Sequence, residues 1–313
     1  MMTFLINRAL HALAVLFGVV SIAFALMHLA GDPLAGLIPP GASPQVEAQI
    51  RHVYGLDRPR AEQYVEFVGR ALRGDFGDSW RQGRPALEAV LERLPATVAL
   101  TALAMALAVA VGGTLGVIAA ANPGSLWDIA ARLTTLLGQA IPAFWLGTLL
   151  ILVFAADLHW LPSSGLESPS GVILPALALA AYPAATLTRL LRATMVETLG
   201  ADYVRTARGK GLSRRSIVIG HALRNAVLPA LAFTGLQAGF LLGGAVIVEN
   251  VFAYPGIGGL ALDAVASRDI PLIEAFVWVV ALLILVINTL SAAVATVLDP
   301  RLRRDHVLLG SAA

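Results

Sequence analysis

The chain of 313 residues is 58% hydrophobic and only 13% charged, with a mean hydropathy of +0.77. Soluble globular domains carry about 25% charged residues, so the composition excludes that class and predicts an integral membrane protein. With no cysteine, disulfides, thiolate chemistry and cysteine-ligated metals are ruled out; the net charge of +2 matters less than where the charges fall.

Residues 10–30 form an apolar run preceded by Arg8. A signal-peptide core is usually about 7–15 residues, whereas this run is long enough to span a bilayer. It is read as a retained first span with its N-terminus in the cytoplasm. Residues 31–95 are the one long polar stretch, with helical patches at 44–54 and 61–72 and a GDFG turn at 74–77. They read as a solvated extracytoplasmic subdomain. A second span follows at 97–121, where Gly112 and Gly116 form a GxxxG pair that permits close helix packing. After an NPGS turn at 122–125 comes a third span at 129–154, expected to kink or break near Pro142. The loop 157–171 leads to a fourth span at 172–191, with Pro183 inside it.

The basic stretch TLGADYVRTARGKGLSRR at 198–215 separates this span from the next. Asp202 is expected to cap a short helix carrying Tyr203 and Val204 in its first turn, and Gly209 and Gly211 to end it. Such a helix of about two turns is unstable alone in water, so a partner surface is expected to hold it. A fifth span at 226–248 places Gly235, Gly239 and Gly243 on one face. A turn-rich loop at 252–259, a sixth span at 272–297 and a short tail complete the chain.

Charge sets the orientation. The segments placed inside carry Arg8, Arg132, Arg301, Arg303, Arg304 and a run from Arg189 to Arg224 that opposes eight bases to Glu197 and Asp202. Those placed outside, the long polar stretch aside, hold only Arg268. This is the positive-inside pattern. It predicts an all-α membrane protein with six transmembrane helices and both termini cytoplasmic. The expected layout is a first helix within 1–30, an extracytoplasmic subdomain at 31–95, a five-helix core at 96–298 and a cytoplasmic tail at 299–313. Arg214 and Arg215 are expected to serve topology and lipid head-group contact.

No span carries an ionisable residue near its middle; polarity there is limited to groups such as Gln139, Gln237 and Asn288. Ion-coupled transporters keep buried charges at mid-depth, so a stand-alone secondary transporter, the rival class, is disfavoured. Gly209-Lys210 resembles the end of a phosphate loop, but position 204 is Val and Gly211 follows the lysine, so the ATP-binding pattern fails. No G-x-S-x-G or H-E-x-x-H occurs, and the six histidines show no ligand spacing. Neither a catalytic centre nor a metal site is expected. What remains is a non-catalytic membrane subunit that receives work from another protein.

DYVRTARGKGLS at 202–213, followed by HALRNAVLP at 221–229, resembles the cytoplasmic loop of permease subunits of ATP-binding-cassette importers, in the dipeptide/oligopeptide/nickel branch. Matching segments run along the chain: GDP (31–33), YGLDRP (54–59), RGDFG (73–77), ERLPAT (92–97), IPAFWLG (141–147), WLPSSG (160–165), VFAYPGIG (251–258) and LDPRLR (298–303). There are departures. The general Glu-Ala-Ala motif is replaced by Arg205-Thr206-Ala207, with Gly211 in place and Leu228-Pro229 later than in the short form. Leu29-Ala30 stands where the branch often has Pro-Gly.

The resemblance implies the type I importer permease fold, forming half of a pathway for di- or oligopeptides across a bacterial inner membrane. Nickel chelates and glutathione are the alternative cargoes. It also implies a sister permease in a heterodimer, two ATPase subunits that bind ATP and Mg, and an extracytoplasmic solute-binding protein facing 31–95 and 252–269, where Pro255-Gly256 makes a turn. No cofactor is expected on this chain, nor nucleic acid as a partner. By the same resemblance 202–212 is the coupling helix, with Asp202, Tyr203, Arg205, Thr206, Ala207, Arg208, Gly211 and Leu212 as its residues. Arg205 and Arg208 would make polar contacts with the ATPase, Ala207 and Gly211 would allow close approach, and Asp202 would cap. Gln237, Glu249, Asn250 and Asn288 are the candidates for lining the pathway.

Overall fold

The computed structural model describes residues 14–25, 29, 38 and 41–298. In chain order the helices are α1 (Ala14–Ala25), α2 (Pro44–Val53), α3 (Arg60–Ala71), α4 (Ala86–Ala121), α5 (Leu126–Ala140), α6 (Ala143–Asp157), α7 (Pro169–Gly200), α8 (Asp202–Gly209), α9 (Ser216–Val251), α10 (Ile257–Ser267) and α11 (Ile270–Leu298). The chain divides into two compact units, Met1–Thr97 with Pro255–Leu285, and Val98–Tyr254 with Val286–Ala313.

In the first unit, α2 starts where Ser43 accepts a hydrogen bond from the Val46 N–H (3.4 Å) and Pro44 opens the first turn. Its core joins Val20 of α1, Ala71 of α3, Phe76, the start of α4 (Ala86, Ala89, Val90), Leu260 of α10 and Leu272 of α11. A second anchor is polar. Asp269, 1% exposed, accepts from the Ser79 hydroxyl (2.5 Å) and from the backbone N–H groups of Trp80 and Arg81 (3.1 Å each). The Ser79 hydroxyl and the Arg81 N–H share Oδ2, and Oδ1, bonded by Trp80, also receives the Leu272 N–H (3.4 Å) in the first turn of α11.

The second unit is built around α7. Its apolar window is 72% buried, against 28% for those of α4 and α9. Small residues make this possible. A Cβ added at Gly112 would stand 2.5 Å from the Ala184 carbonyl oxygen, one at Gly116 2.9 Å from that of Thr188, and one at Gly138 2.7 Å from the Ala185 Cβ. The GxxxG pair of α4 therefore lies against the α7 backbone, as its spacing predicts. On α9 the expectation holds only in part. A Cβ at Gly235 would meet the Ser291 side chain at 2.5 Å, whereas Gly243 has nothing within 4 Å.

Among the described residues four helices, α4, α7, α9 and α11, are long and apolar enough to cross a membrane. The third expected span is two helices, α5 and α6, bent by 107° where Ile141 and Pro142 leave the helical region. Of the first expected span, Ala14–Ala25 is described; the GDP motif and the tail lie outside the described residues. Boundaries move as well. Helix α4 starts at Ala86, inside the polar stretch, because Ala86, Ala89 and Val90 are buried at one face. Helix α10 stands where a loop is expected, since Ile257, Leu260, Ala261 and Ala264 recur with helical spacing and are all buried.

Candidate functional site

Helix α8 is eight residues long and two-sided. Val204 and Ala207, three apart, are buried with Ile217 of α9, and Leu199 of α7 packs against them. Tyr203, Arg205, Thr206 and Arg208 are exposed. Ala207 is thus used by the chain itself, which corrects the expectation that it offers close approach to a partner. The cap is corrected too. Ala201, extended at φ −68° and ψ 151°, occupies the position before the helix, and Asp202 is its first residue. There the carboxylate suits the positive end of the helix dipole and accepts from Arg205 Nη1 (3.3 Å), a pair exposed enough to contribute little.

The end of α8 matches its reading. Gly211 sits at φ +78°, its N–H bonds to the Arg208 carbonyl (2.9 Å) and the Leu212 N–H to that of Ala207 (3.3 Å). That left-handed turn favours glycine, and nothing lies within 4 Å of where a Cβ would be, so the demand comes from the backbone. Leu212 follows, 40% exposed. Outside the helix, the Tyr203 hydroxyl accepts from Asn225 Nδ2 of α9 (2.9 Å).

At the start of α5 lies an ionic joint that sequence reasoning missed. Asp128, in the first turn of α5, has a side chain 1% exposed and carries two arginines: Arg192 Nε of α7 on Oδ1 (2.6 Å) and Arg132 Nη2 on Oδ2 (2.6 Å). The Gly124 N–H adds a third bond (3.0 Å). Arg214, expected to serve topology and lipid head-group contact, donates to the Ala121 carbonyl and to Asn122 Oδ1 (2.8 Å) in the same α4–α5 turn. Both bonds leave Nη2, whose two N–H groups reach two acceptors of one turn from the end of a long side chain. The available signal was Ser125-x-x-Asp128 followed by Arg132, a capped helix start with a charge pair one turn on; Ser125 Oγ does accept from the Asp128 N–H (3.4 Å).

The pathway candidates do not form one cluster. Gln237 is 8% exposed and Glu249 fully buried on α9, Asn250 is exposed, and Asn288 on α11 is half-buried. Gln237 and Glu249 stand about 18 Å apart along the helix axis at 1.5 Å per residue.

Comparison with known proteins extends these observations. The family described as binding-protein-dependent transport system inner membrane component matches residues 112–304, and its N-terminal part matches 1–101. A putative peptide transport system permease protein of Brucella melitensis is 38% identical over 97% of this chain and all of its own length. An oligopeptide transport system permease protein of Bacillus subtilis is 36% identical over 96% of this chain and 99% of its own. A glutathione transport system permease protein of Escherichia coli is 39% identical over 97% and 99%. Among solved structures, an inward-facing methionine ABC transporter matches 67% of this chain and 96% of its own with a TM-score of 0.56 at 15% identity. That likeness shows the permease fold. Near-complete coverage by both parts of the family, the shared fold and the long apolar helices lead to one conclusion: the chain belongs to the family of binding-protein-dependent transport system inner membrane components, and is a multi-pass permease subunit of an ATP-binding-cassette importer.

Proposed function

We propose that this permease forms half of a pathway for di- or oligopeptides across the bacterial cytoplasmic membrane, with glutathione, itself a short peptide, within the same class. Relatives named for peptide and glutathione transport support that cargo class. Six spans with both termini cytoplasmic, the positive-inside arrangement, put α8 on the cytoplasmic side. A sister permease completes the pathway, an extracytoplasmic binding protein delivers cargo to the polar subdomain, and two ATPase subunits bind ATP and Mg. This chain binds no cofactor.

One observation carries the coupling role: α8 buries Val204 and Ala207 on its own chain and leaves Tyr203, Arg205, Thr206 and Arg208 facing out. A short helix anchored on one side and charged on the other transmits force as a rigid element. Arg205 and Arg208 contact the ATPase, and Leu212 extends the surface past the Gly211 turn. Closure of the ATPases displaces α8, and its anchors pass the motion to α7 and α9. Gln237, Glu249, Asn250 and Asn288 lie on helices that then move.

The test is ATP-driven uptake of a labelled tripeptide by the reconstituted complex. Arg205→Glu should cut uptake at least tenfold and weaken ATPase retention while this chain stays inserted. Normal uptake with normal assembly would remove α8 from the mechanism.

A further inference from the structure

The first unit contains a cavity of about 500 Å³, bounded by α1, α3, the segment 76–83 and the start of α11. This volume falls in the range of small-molecule sites. Two aromatic pairs wall it. Phe24 and Phe67 stack with centroids 5.8 Å apart, and Tyr54 meets Trp80 edge-on at 5.7 Å. Such faces receive an apolar body, and they also attract a cation.

The charges decide between those uses. Four charged side chains line the cavity, and two are committed elsewhere. Glu66 is bound by Arg58 (2.8 Å), and Arg70 is turned to Asp75 (3.3 Å). The other two, Asp78 and Glu274, make no hydrogen bond or ion pair among the described residues. Asp78 is exposed at the rim, whereas Glu274 is half-buried in the second turn of α11, with Arg70 acting on it only at a distance. Ionising a carboxyl held from water without a partner is costly. Beside aromatic faces, the group that relieves that cost is an organic cation with its own donors.

We propose that this cavity is a binding site for an organic amine: a primary ammonium bonded by Glu274 and Asp78, on an apolar body held between the Phe24–Phe67 and Tyr54–Trp80 pairs. The site would reject an anion and discriminate against a neutral analogue of the same shape. The proposal does not rest on α8.

The full-length chain in detergent, titrated calorimetrically with L-phenylalaninamide and then with N-acetyl-L-phenylalaninamide, tests it. Saturable binding of the amine, at least tenfold weaker binding of the acetylated form, and at least tenfold loss in Glu274→Gln are expected. Asp78→Asn, at an exposed position, should weaken binding several-fold and serves as the test if the Glu274 variant does not fold. Equal binding of the two compounds, no saturable binding, or amine affinity unchanged in the folded variants would overturn the proposal. Because the readout is binding and not uptake, such a failure leaves the importer reading untouched.

Discussion

Two aspartates, each 1% exposed, hold elements together in opposite ways, Asp269 within the first unit and Asp128 within the second. Asp269 is wrapped by neutral donors, a hydroxyl and backbone N–H groups from 79–81 and 272. Asp128 is gripped by two guanidinium groups and one N–H. The neutral nest fixes a loop by geometry, and every donor in it needs an acceptor there. The ionic joint ties α5 to α7 with charges that need one another, beside the turn that Arg214 also holds. A short rigid element that is to pass on a displacement has more use for the second kind, which resists separation over a longer distance.

Breaking the ionic joint should therefore have the largest effect. Asp128→Ala leaves the Arg192 guanidinium, 31% exposed, without its counter-charge and should give the largest drop in the thermal midpoint of the purified complex. The two arginines should then separate. Arg132 is 64% exposed, so Arg132→Ala should cost roughly 0.5 kcal/mol, whereas Arg192, at 31%, should come close to the Asp128 variant. Equal losses would mean that the joint is not held through α7.

The neutral nest should respond less. Asp269→Asn keeps one acceptor but turns its NH2 toward the N–H of either Trp80 or Arg81, which bond different oxygens, a loss of roughly 1–3 kcal/mol. Faster protease cleavage within 78–83 checks it, and cleavage at the wild-type rate would show that the loop is held by apolar packing alone. Next in size, Gly211→Ala should cost about 1–2 kcal/mol, because the φ of +78° is unfavourable for a residue with a Cβ although space is open. Uptake lowered in step with α8 disorder is the expected signature.

What was legible in the sequence follows the range of the forces involved. The spans are runs of apolar residues, and the Gly112–Gly116 contact and the Gly211 turn follow from local spacing or local backbone need. The motif at 202–213 marks α8 by resemblance. Illegible were the joints between distant residues: Asp128 with Arg192, 64 positions apart, and Ser79 with Asp269, 190 apart. No periodicity links such pairs. The misplaced cap shows a local limit as well. Asp202 is a good capping residue, but Ala201 takes the extended conformation before the helix and Asp202 enters it. The helix at Ile257–Ser267 was hidden by the Pro255-Gly256 turn in front of it.

The smallest effect belongs to an exposed counterpart of the two buried joints. Asp75, at the turn between α3 and the segment 76–83, accepts from the Gly77 N–H (3.0 Å) and from Arg70 (3.3 Å). These bonds, the Gly77 N–H first and Arg70 second, hold its carboxyl below the usual carboxylate range. A carboxyl with a depressed folded-state pKa adds stability above its unfolded value, and that share is lost as pH falls through the folded one. The wild type should therefore lose slightly more stability than Asp75→Asn between pH 5 and the acid limit, and the two should differ least at the acid end. Water screens an exposed pair, so the gap in thermal midpoint should be a small fraction of that caused by Asp128→Ala. A gap as large as the Asp128 one would mean that Arg70, released from Asp75, disturbs the neighbouring cavity wall.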